Sequence, residues 1–303
     1  MRVLVTGANG MLGIDLCSLL EAAGHEVVRT DIAIREGLSV PAWEPLDITD
    51  TQAVFHAVLR HQPDAVIHTA ACTDVDGCER HPDTAYRLNA LGTWNVAAVC
   101  GGHHITLIYL STDFVFDGTK TTPYTEFDTP NPINHYGASK LAGERFVTQL
   151  CRKHFIARTA WLFGVHGKSF PNTILNLAKT RTELPVVTDQ IGSPTHTVDL
   201  ARVLLSLLDS PLYGTYHITN AGSCSWFELA RKTLELAGIT SMEVKPIPAS
   251  QYPSPTHRPA YSVLRHYALE LQSRDNLRPW QQALADFLAL REQSRQSAVG
   301  NRQ

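Results

Sequence analysis

The segment Thr6-Gly7-Ala8-Asn9-Gly10-Met11-Leu12-Gly13 follows the apolar run Val3 to Val5 and opens a stretch of helical period, with its glycines three residues apart. Nothing else in the chain restricts the fold as much. A backbone that passes from strand to helix this quickly needs one glycine for the turn, a second where a pyrophosphate approaches, and a third where helix and strand pack closely. Unpaired N–H groups at the helix start then receive the anion. Glycine triplets also arise by accident, so the preceding strand and following helix carry the inference. The expected dinucleotide contacts here are Gly7, Asn9, Gly10, Met11, Leu12 and Gly13.

The first half alternates short β-rich runs with longer helical ones. Val3 to Thr6, Glu26 to Arg29, Ala65 to His68, Thr106 to Leu110 and Phe155 to Ala160 read as strands. Leu12 to Ala23, Thr51 to His61, Thr84 to Cys100 and Tyr136 to Cys151 carry apolar residues at three- and four-residue steps and read as helices. That order predicts an α/β fold, a Rossmann doubly wound parallel sheet. At 303 residues the chain exceeds the usual single core, so a smaller, interleaved C-terminal substrate-binding lobe is expected. Turn residues become frequent after Trp161, which sets the expected division at 1–162 and 163–303. Leu184 to Thr188 and Thr215 to Thr219 are further strand candidates, the second returning to the main sheet near 215–219.

Composition removes several classes of function. A net charge of -3 gives no basic surplus for nucleic acid or anionic membrane. No apolar stretch approaches the roughly 20 residues of a membrane span. The first strand begins almost at Met1, leaving no room for a signal peptide, and a cytoplasmic protein is expected. The six cysteines form no Cys-x-x-Cys pair and read as reduced, buried thiols. The fourteen histidines show no zinc spacing, and no catalytic metal is expected.

Asp31 ends the second strand 18 residues after Gly13, where an acid accepts hydrogen bonds from adenosine ribose and favours NADH. Arg29 and Arg35 flank it and offer the opposite reading, a 2′-phosphate site for NADPH; an ordinary helix cap also fits Asp31. Asp47 and Ile48 fall where a third strand reaches the adenine, and Ala70 and Ala71 are small enough to pass the nicotinamide ribose. Each of these also reads as a plain strand end. Tyr136 and Lys140, four residues apart, share one helix face. A neighbouring ammonium would lower the phenol's pKa toward neutrality and make it a proton donor to a developing alkoxide, while Lys140 also holds ribose. Thr112, at the end of the strand before, offers a hydroxyl to a carbonyl.

Longer strings sharpen this. Thr69-Ala70-Ala71-Cys72-Thr73-Asp74-Val75-Asp76, Ser111-Thr112-Asp113-Phe114-Val115-Phe116-Asp117-Gly118, Tyr136-Gly137-Ala138-Ser139-Lys140-Leu141-Ala142-Gly143-Glu144, Arg158-Thr159-Ala160-Trp161, Asp189-Gln190-Ile191-Gly192-Ser193-Pro194-Thr195 and Arg258-Pro259 resemble the dTDP-4-dehydrorhamnose reductase family of extended short-chain dehydrogenases, over nearly the whole chain. The resemblance implies a catalytic trio of Thr112, Tyr136 and Lys140 and a C4-keto nucleotide sugar reduced with NADPH or NADH. Thr73, Val75, Thr112, Asp113, Trp161 and Arg258 would face the sugar, Trp161 as a flat apolar wall. It also allows a homodimer. Several positions bear on the match to the family: Phe114 replaces a common tyrosine, Gly77-Cys78 replaces bulkier or charged residues, and Asp15 and Val198 stand where some members carry acidic magnesium ligands. Valine has no ligand atom, which argues against a magnesium-bridged dimer.

Other readings remain open at this stage. One is a reductase of a different nucleotide-linked 4-keto sugar. Another is a non-catalytic dinucleotide-binding subunit like the regulatory subunit of methionine adenosyltransferase, which would have no chemical need for the trio. An epimerase or dehydratase would need further acids and bases, and Thr112 is followed by Asp113-Phe114 rather than an Asp-Glu pair.

Overall fold

A computed structural model describes residues 1–33 and 42–300; Arg35 lies outside the described residues. Among the described residues a seven-stranded sheet forms the centre. Its strands are β1 (Arg2–Thr6), β2 (Glu26–Asp31), β3 (Glu44–Pro45), β4 (Ala65–His68), β5 (Thr106–Thr112), β6 (His154–Thr159) and β7 (Gly214–His217). They pair in parallel in the order β7-β6-β5-β4-β1-β2-β3. The order reverses between β1 and β4. In open parallel sheets a ligand crevice lies outside the carboxyl ends of the strands at that point.

Period-two alternation splits the strand residues between two cores. Val3, Val5, Ile67, Ile108 and Phe155 pack on one face against Leu16 and Leu20 of α1 (Met11–Ala22) and Leu200 and Leu204 of the helix Thr197–Leu207. Leu4, Val66, Leu107, Tyr109 and Ile156 pack on the other against Val54 and Val58 of α2 (Thr51–His61), Val96 of α3 (Thr93–Gly102) and Val147 of α4 (His135–Leu150). Separate apolar clusters lie in the C-terminal part, one around Phe163, Leu229, Trp280 and Phe287, another around Ile174, Leu184, Val186 and Leu234. The sheet therefore buries both faces, and residues after β6 build further small cores beside it.

The structure differs from the sequence reading in three local ways. β5 runs two residues past Leu110, because Ser111 and Thr112 keep their register with Arg158 and Thr159 on β6. β6 stops at Thr159, one residue short of the expected Ala160, whereas β2 ends at Asp31 as expected and there gains β3 as a neighbour. The helix expected over Thr84 to Cys100 is broken into Pro82–Tyr86, a π-helical segment Arg87–Gly92, and α3. The wider turn places Asn89 inward, where its side chain bonds Cys72 N–H (2.8 Å), the Cys72 carbonyl (3.1 Å) and Ser139 Oγ (3.0 Å). Such bulges recur at functional sites.

Candidate active site

A cleft of about 1140 Å³ opens at the carboxyl ends of β1, β4 and β5. Gly7, Gly10, Met11, Leu12 and Gly13 line one end, with Asp31, Asp47, Ile48, Ala70 and Ala71. Thr73, Val75, Asp113, Trp161 and Arg258 line the other, and Thr112, Tyr136 and Lys140 also belong to the lining. Asn9 alone of the expected contacts lies outside it: it is buried, its N–H donating to Asp31 Oδ2 (2.9 Å) and its Nδ2 to the Ala33 carbonyl (3.1 Å). Asn9 thus braces the acid.

The glycine turn packs on itself and on the end of β4 too closely to admit side chains. Gly7 sits at φ +71°, and a Cβ there would lie 2.7 Å from the Ala70 nitrogen; one on Gly13 would lie 2.2 Å from the Gly7 carbonyl oxygen. Gly10 caps α1 without a side-chain bond, so the first helical N–H groups have no such cap and can meet an anion. These residues fit the pyrophosphate of a nicotinamide dinucleotide. Asp31 takes N–H groups from Asn9 and Ile32 (2.7 Å), which fixes its carboxylate at the cleft wall. Arg29 does not serve as the alternative 2′-phosphate site: its guanidinium is 8% exposed and binds Glu21 on α1 at 2.6 Å.

Near the expected catalytic trio, Asn134 caps α4 by accepting the Gly137 N–H at 2.8 Å, and the helix begins one residue before Tyr136. Tyr136 and Lys140 then follow on successive turns. Thr112 donates to Asp113 Oδ1 (3.0 Å) and accepts from the Phe114 N–H (3.2 Å). Burial raises the Asp113 carboxyl to about 6, against the opposing hydrogen bonds of Ser262 (2.6 Å) and Thr112. Burial also pushes the Tyr136 phenol up, with a smaller opposing effect from its hydrogen bond to Thr112. The expectation of a phenol drawn toward neutrality is thus not met, because desolvation outweighs any stabilisation of the phenolate. A phenol that keeps its proton is nevertheless the form a general acid requires.

Lys140 is 3% exposed, and burial lowers its ammonium to about 7 against the raising effect of Glu144. Its Nζ stands 4.2 Å from the Tyr109 ring centroid. Beneath it, burial and the nearby lysine lower His68 to about 3, so the imidazole is neutral and adds no repelling charge. His68 bridges Thr6 Oγ1 (2.7 Å) and Thr93 Oγ1 (3.2 Å). One turn beyond Lys140, Glu144 forms a buried two-point pair with Arg158 of β6 (2.8 and 2.7 Å) and accepts from Ser111 of β5 at 2.5 Å. This clamp ties the helix bearing Tyr136 to the strand ending in Thr112.

Trp161 lies in the cleft wall but is not a flat wall. Its ring stacks on Trp226 at 3.5 Å and 8°, and Trp226 in turn meets Phe170 at 4.7 Å. A Cβ on Gly192 would fall 2.5–2.7 Å from Trp161 Cε2, Cζ2 and Nε1 at once, which is a position over a ring face. With one face under Trp226 and the other against Gly192, Trp161 is left with its edges for the cleft. Its φ of +48° is costly for a bulky residue and is held by these contacts. Arg258 reaches the cleft while bound to Asp76 Oδ1 at 2.7 Å, which joins the C-terminal loop to the helix Val75–Arg80. Phe114 meets Tyr136 edge-on at 5.8 Å. Asp15 accepts from Thr197 at 2.5 Å and lies 3.4 Å from His166. Sequence reasoning missed Trp226 and Lys168, which also line the cleft. Neither stands in a motif or a spacing that points to a ligand.

Fold and cleft together define an extended short-chain dehydrogenase/reductase. Residues 1–292 match the model of the RmlD substrate binding domain, and the chain belongs to that family. It is 40% identical to a dTDP-4-keto-6-deoxy-D-glucose reductase of Streptomyces niveus over 95% of this chain and 97% of that one. A crystal structure of a dTDP-4-dehydrorhamnose reductase from Clostridium acetobutylicum superposes with a TM-score of 0.90 at 44% identity, covering 96% of this chain and 99% of the other. One from Bacillus anthracis, in complex with NADP, gives 0.87 at 40% identity, with 95% and 98% covered. No helix among the described residues is long and apolar enough to cross a membrane.

Proposed function

We propose that this protein is an NAD(P)H-dependent reductase that converts the C4 ketone of dTDP-4-dehydro-L-rhamnose to the alcohol of dTDP-L-rhamnose. The observation that carries the reading is one cleft lined both by Thr112 and Tyr136 and by a glycine turn suited to a dinucleotide. Names borne by the similar proteins support the substrate class. When bound, the dihydronicotinamide supplies a hydride to C4. Thr112 holds the carbonyl oxygen, Tyr136 passes its phenolic proton to that oxygen as it becomes an alkoxide, and Lys140 anchors ribose beneath. The Glu144–Arg158–Ser111 clamp keeps Thr112 and Tyr136 in register. On this reading residues 1–162 with β7 hold the dinucleotide, and residues 163–303 mainly hold the sugar nucleotide. The enzyme works in the cytoplasm on a small-molecule substrate, and a homodimer would not be bridged by magnesium through Val198.

A second reading, reduction of another dTDP-linked 4-keto-6-deoxy sugar, is favoured by the similarity to the Streptomyces niveus reductase and by Phe114, which removes a hydroxyl near the sugar. One experiment separates the two. NADPH and NADH oxidation is followed with substrate generated in situ by a dehydratase, with and without the epimerase that makes the rhamno sugar. Oxidation that requires the epimerase supports the first reading. Oxidation without it supports the second, and cofactor binding with no oxidation in either case removes both.

A further inference from the structure

We propose that Cys72 and Cys78 form a reversible disulfide at the sugar end of the cleft. Cys72 lies in the loop after β4, and Cys78 lies in the helix Val75–Arg80. Their sulfurs are 3.5 Å apart, the Cys78 thiol donating to Cys72. A disulfide of about 2.05 Å therefore needs an approach of only ~1.5 Å, which side-chain rotation and a small shift of the loop can supply together. The two thiols are unequal in access: Cys72 is partly exposed, whereas Cys78 is 1% exposed. Cys17, Cys100, Cys151 and Cys224 are all buried.

The hydrogen bond from Cys78 lowers the Cys72 thiol to about 6, while the same bond and burial push Cys78 up. An accessible thiolate with a resolving thiol beside it is the arrangement that peroxide oxidises selectively. The Cys72 thiolate attacks hydrogen peroxide: an S–O bond forms, the O–O bond breaks, and hydroxide leaves. Cys78 gives its proton to the departing oxygen and attacks the Cys72 sulfur, forming S–S and breaking S–O. In sum, two thiols and one peroxide give one disulfide and two waters. A dithiol reductant reverses the change by exchange.

Two of the cleft-lining residues, Thr73 and Val75, lie between the cysteines. The Cys72 backbone is paired to Asn89, which donates to Ser139, and Ser139 donates to the Tyr136 carbonyl at 2.8 Å. Drawing the two sulfurs together therefore displaces the sugar loop. This effect on sugar binding rests on the proposed reductase reading; the disulfide does not.

Trypsin places both cysteines, and no other, in the peptide His61 to Arg80. The native full chain is treated with hydrogen peroxide, alkylated with iodoacetamide, digested and weighed. The expected peptide has lost two hydrogens and carries no alkyl group, and dithiothreitol restores two alkylation sites. Oxidation should also raise KM for the keto sugar several-fold while leaving NADPH binding unchanged. Cys78→Ser, or Cys72→Ser if that variant fails to fold, should abolish the loss of two hydrogens and the KM change. Full alkylation of both thiols after oxidation, or a Cys72 that stops at sulfinic acid beside a free Cys78, overturns the proposal. A disulfide with unchanged KM overturns the loop displacement alone. A protein that never reduces a keto sugar defeats the reductase reading while the mass measurement still decides the disulfide.

Discussion

At the dinucleotide end of the cleft, the cradle comes from one short stretch, Thr6 to Gly13, and works through backbone N–H groups and missing side chains. At the sugar end the lining is made of side chains drawn from positions as far apart as Thr73, Trp161, Trp226 and Arg258. The glycine cradle at the first end depends on local conformation, and the sugar end on how distant segments pack. A dinucleotide site of the first kind can persist while the sugar pocket varies by side-chain replacement. On the proposed reading Tyr136 acts where the two ends meet, which separates binding from chemistry.

The largest expected effect falls at that junction. Tyr136→Phe should cut turnover by roughly 10²–10⁴, the usual loss for a general acid, with NADPH affinity unchanged by fluorescence titration. Retained turnover would remove the phenol from the chemistry and collapse the distinction between the two ends. Next comes the clamp. Arg158→Met leaves Glu144 buried without its partner and should cost about 3–5 kcal/mol in urea unfolding, with much of that recovered when Glu144→Met is added. If the single variant unfolds at the wild-type midpoint, the pair does not hold the helix to the sheet.

Gly192→Ala sharpens the comparison from the sugar side. Its methyl would strike the Trp161 ring and should cost ~1–3 kcal/mol as overpacking. KM for the keto sugar should rise while the dissociation constant for NADPH stays put, and a parallel loss of both would mean the two ends are mechanically one. A pH dependence is also expected at Lys140. Its folded pKa, about 7, lies below the ordinary 10.5, so between these values the unfolded chain binds more protons and this group's contribution to stability rises with pH. The stability advantage of Lys140→Met over the wild type should therefore shrink from pH 7 to about pH 10. A constant gap in denaturation midpoints across that range would contradict the lowered pKa of Lys140.

The same contrast explains what the sequence made legible. The glycine turn, the acid ending β2 and the four-residue spacing of Tyr136 and Lys140 are local patterns, and the cleft contains all of them. Glu144 could be placed on the Lys140 face from spacing alone, but its partner Arg158 comes from a neighbouring strand and its pairing is a matter of tertiary packing. Arg29 looked available beside Asp31 until the sheet turned it toward Glu21 on α1. The π-helical segment left no trace, since apolar spacing over Thr84 to Cys100 suits a regular helix; the inward bonds of Asn89 are what accompany the break. Trp161 was identified, yet its sandwiched orientation depends on Gly192 and Trp226, both remote in sequence.

In the proposed reaction a hydride reaches C4 of the sugar while Tyr136 supplies the proton. Its most direct test is turnover of dTDP-4-dehydro-L-rhamnose with NADPH deuterated at nicotinamide C4 on the transferred face, followed by NMR of the product. The expected product is dTDP-L-rhamnose carrying deuterium at C4. Product without deuterium at that carbon, or no product from an enzyme that binds both ligands, would contradict it.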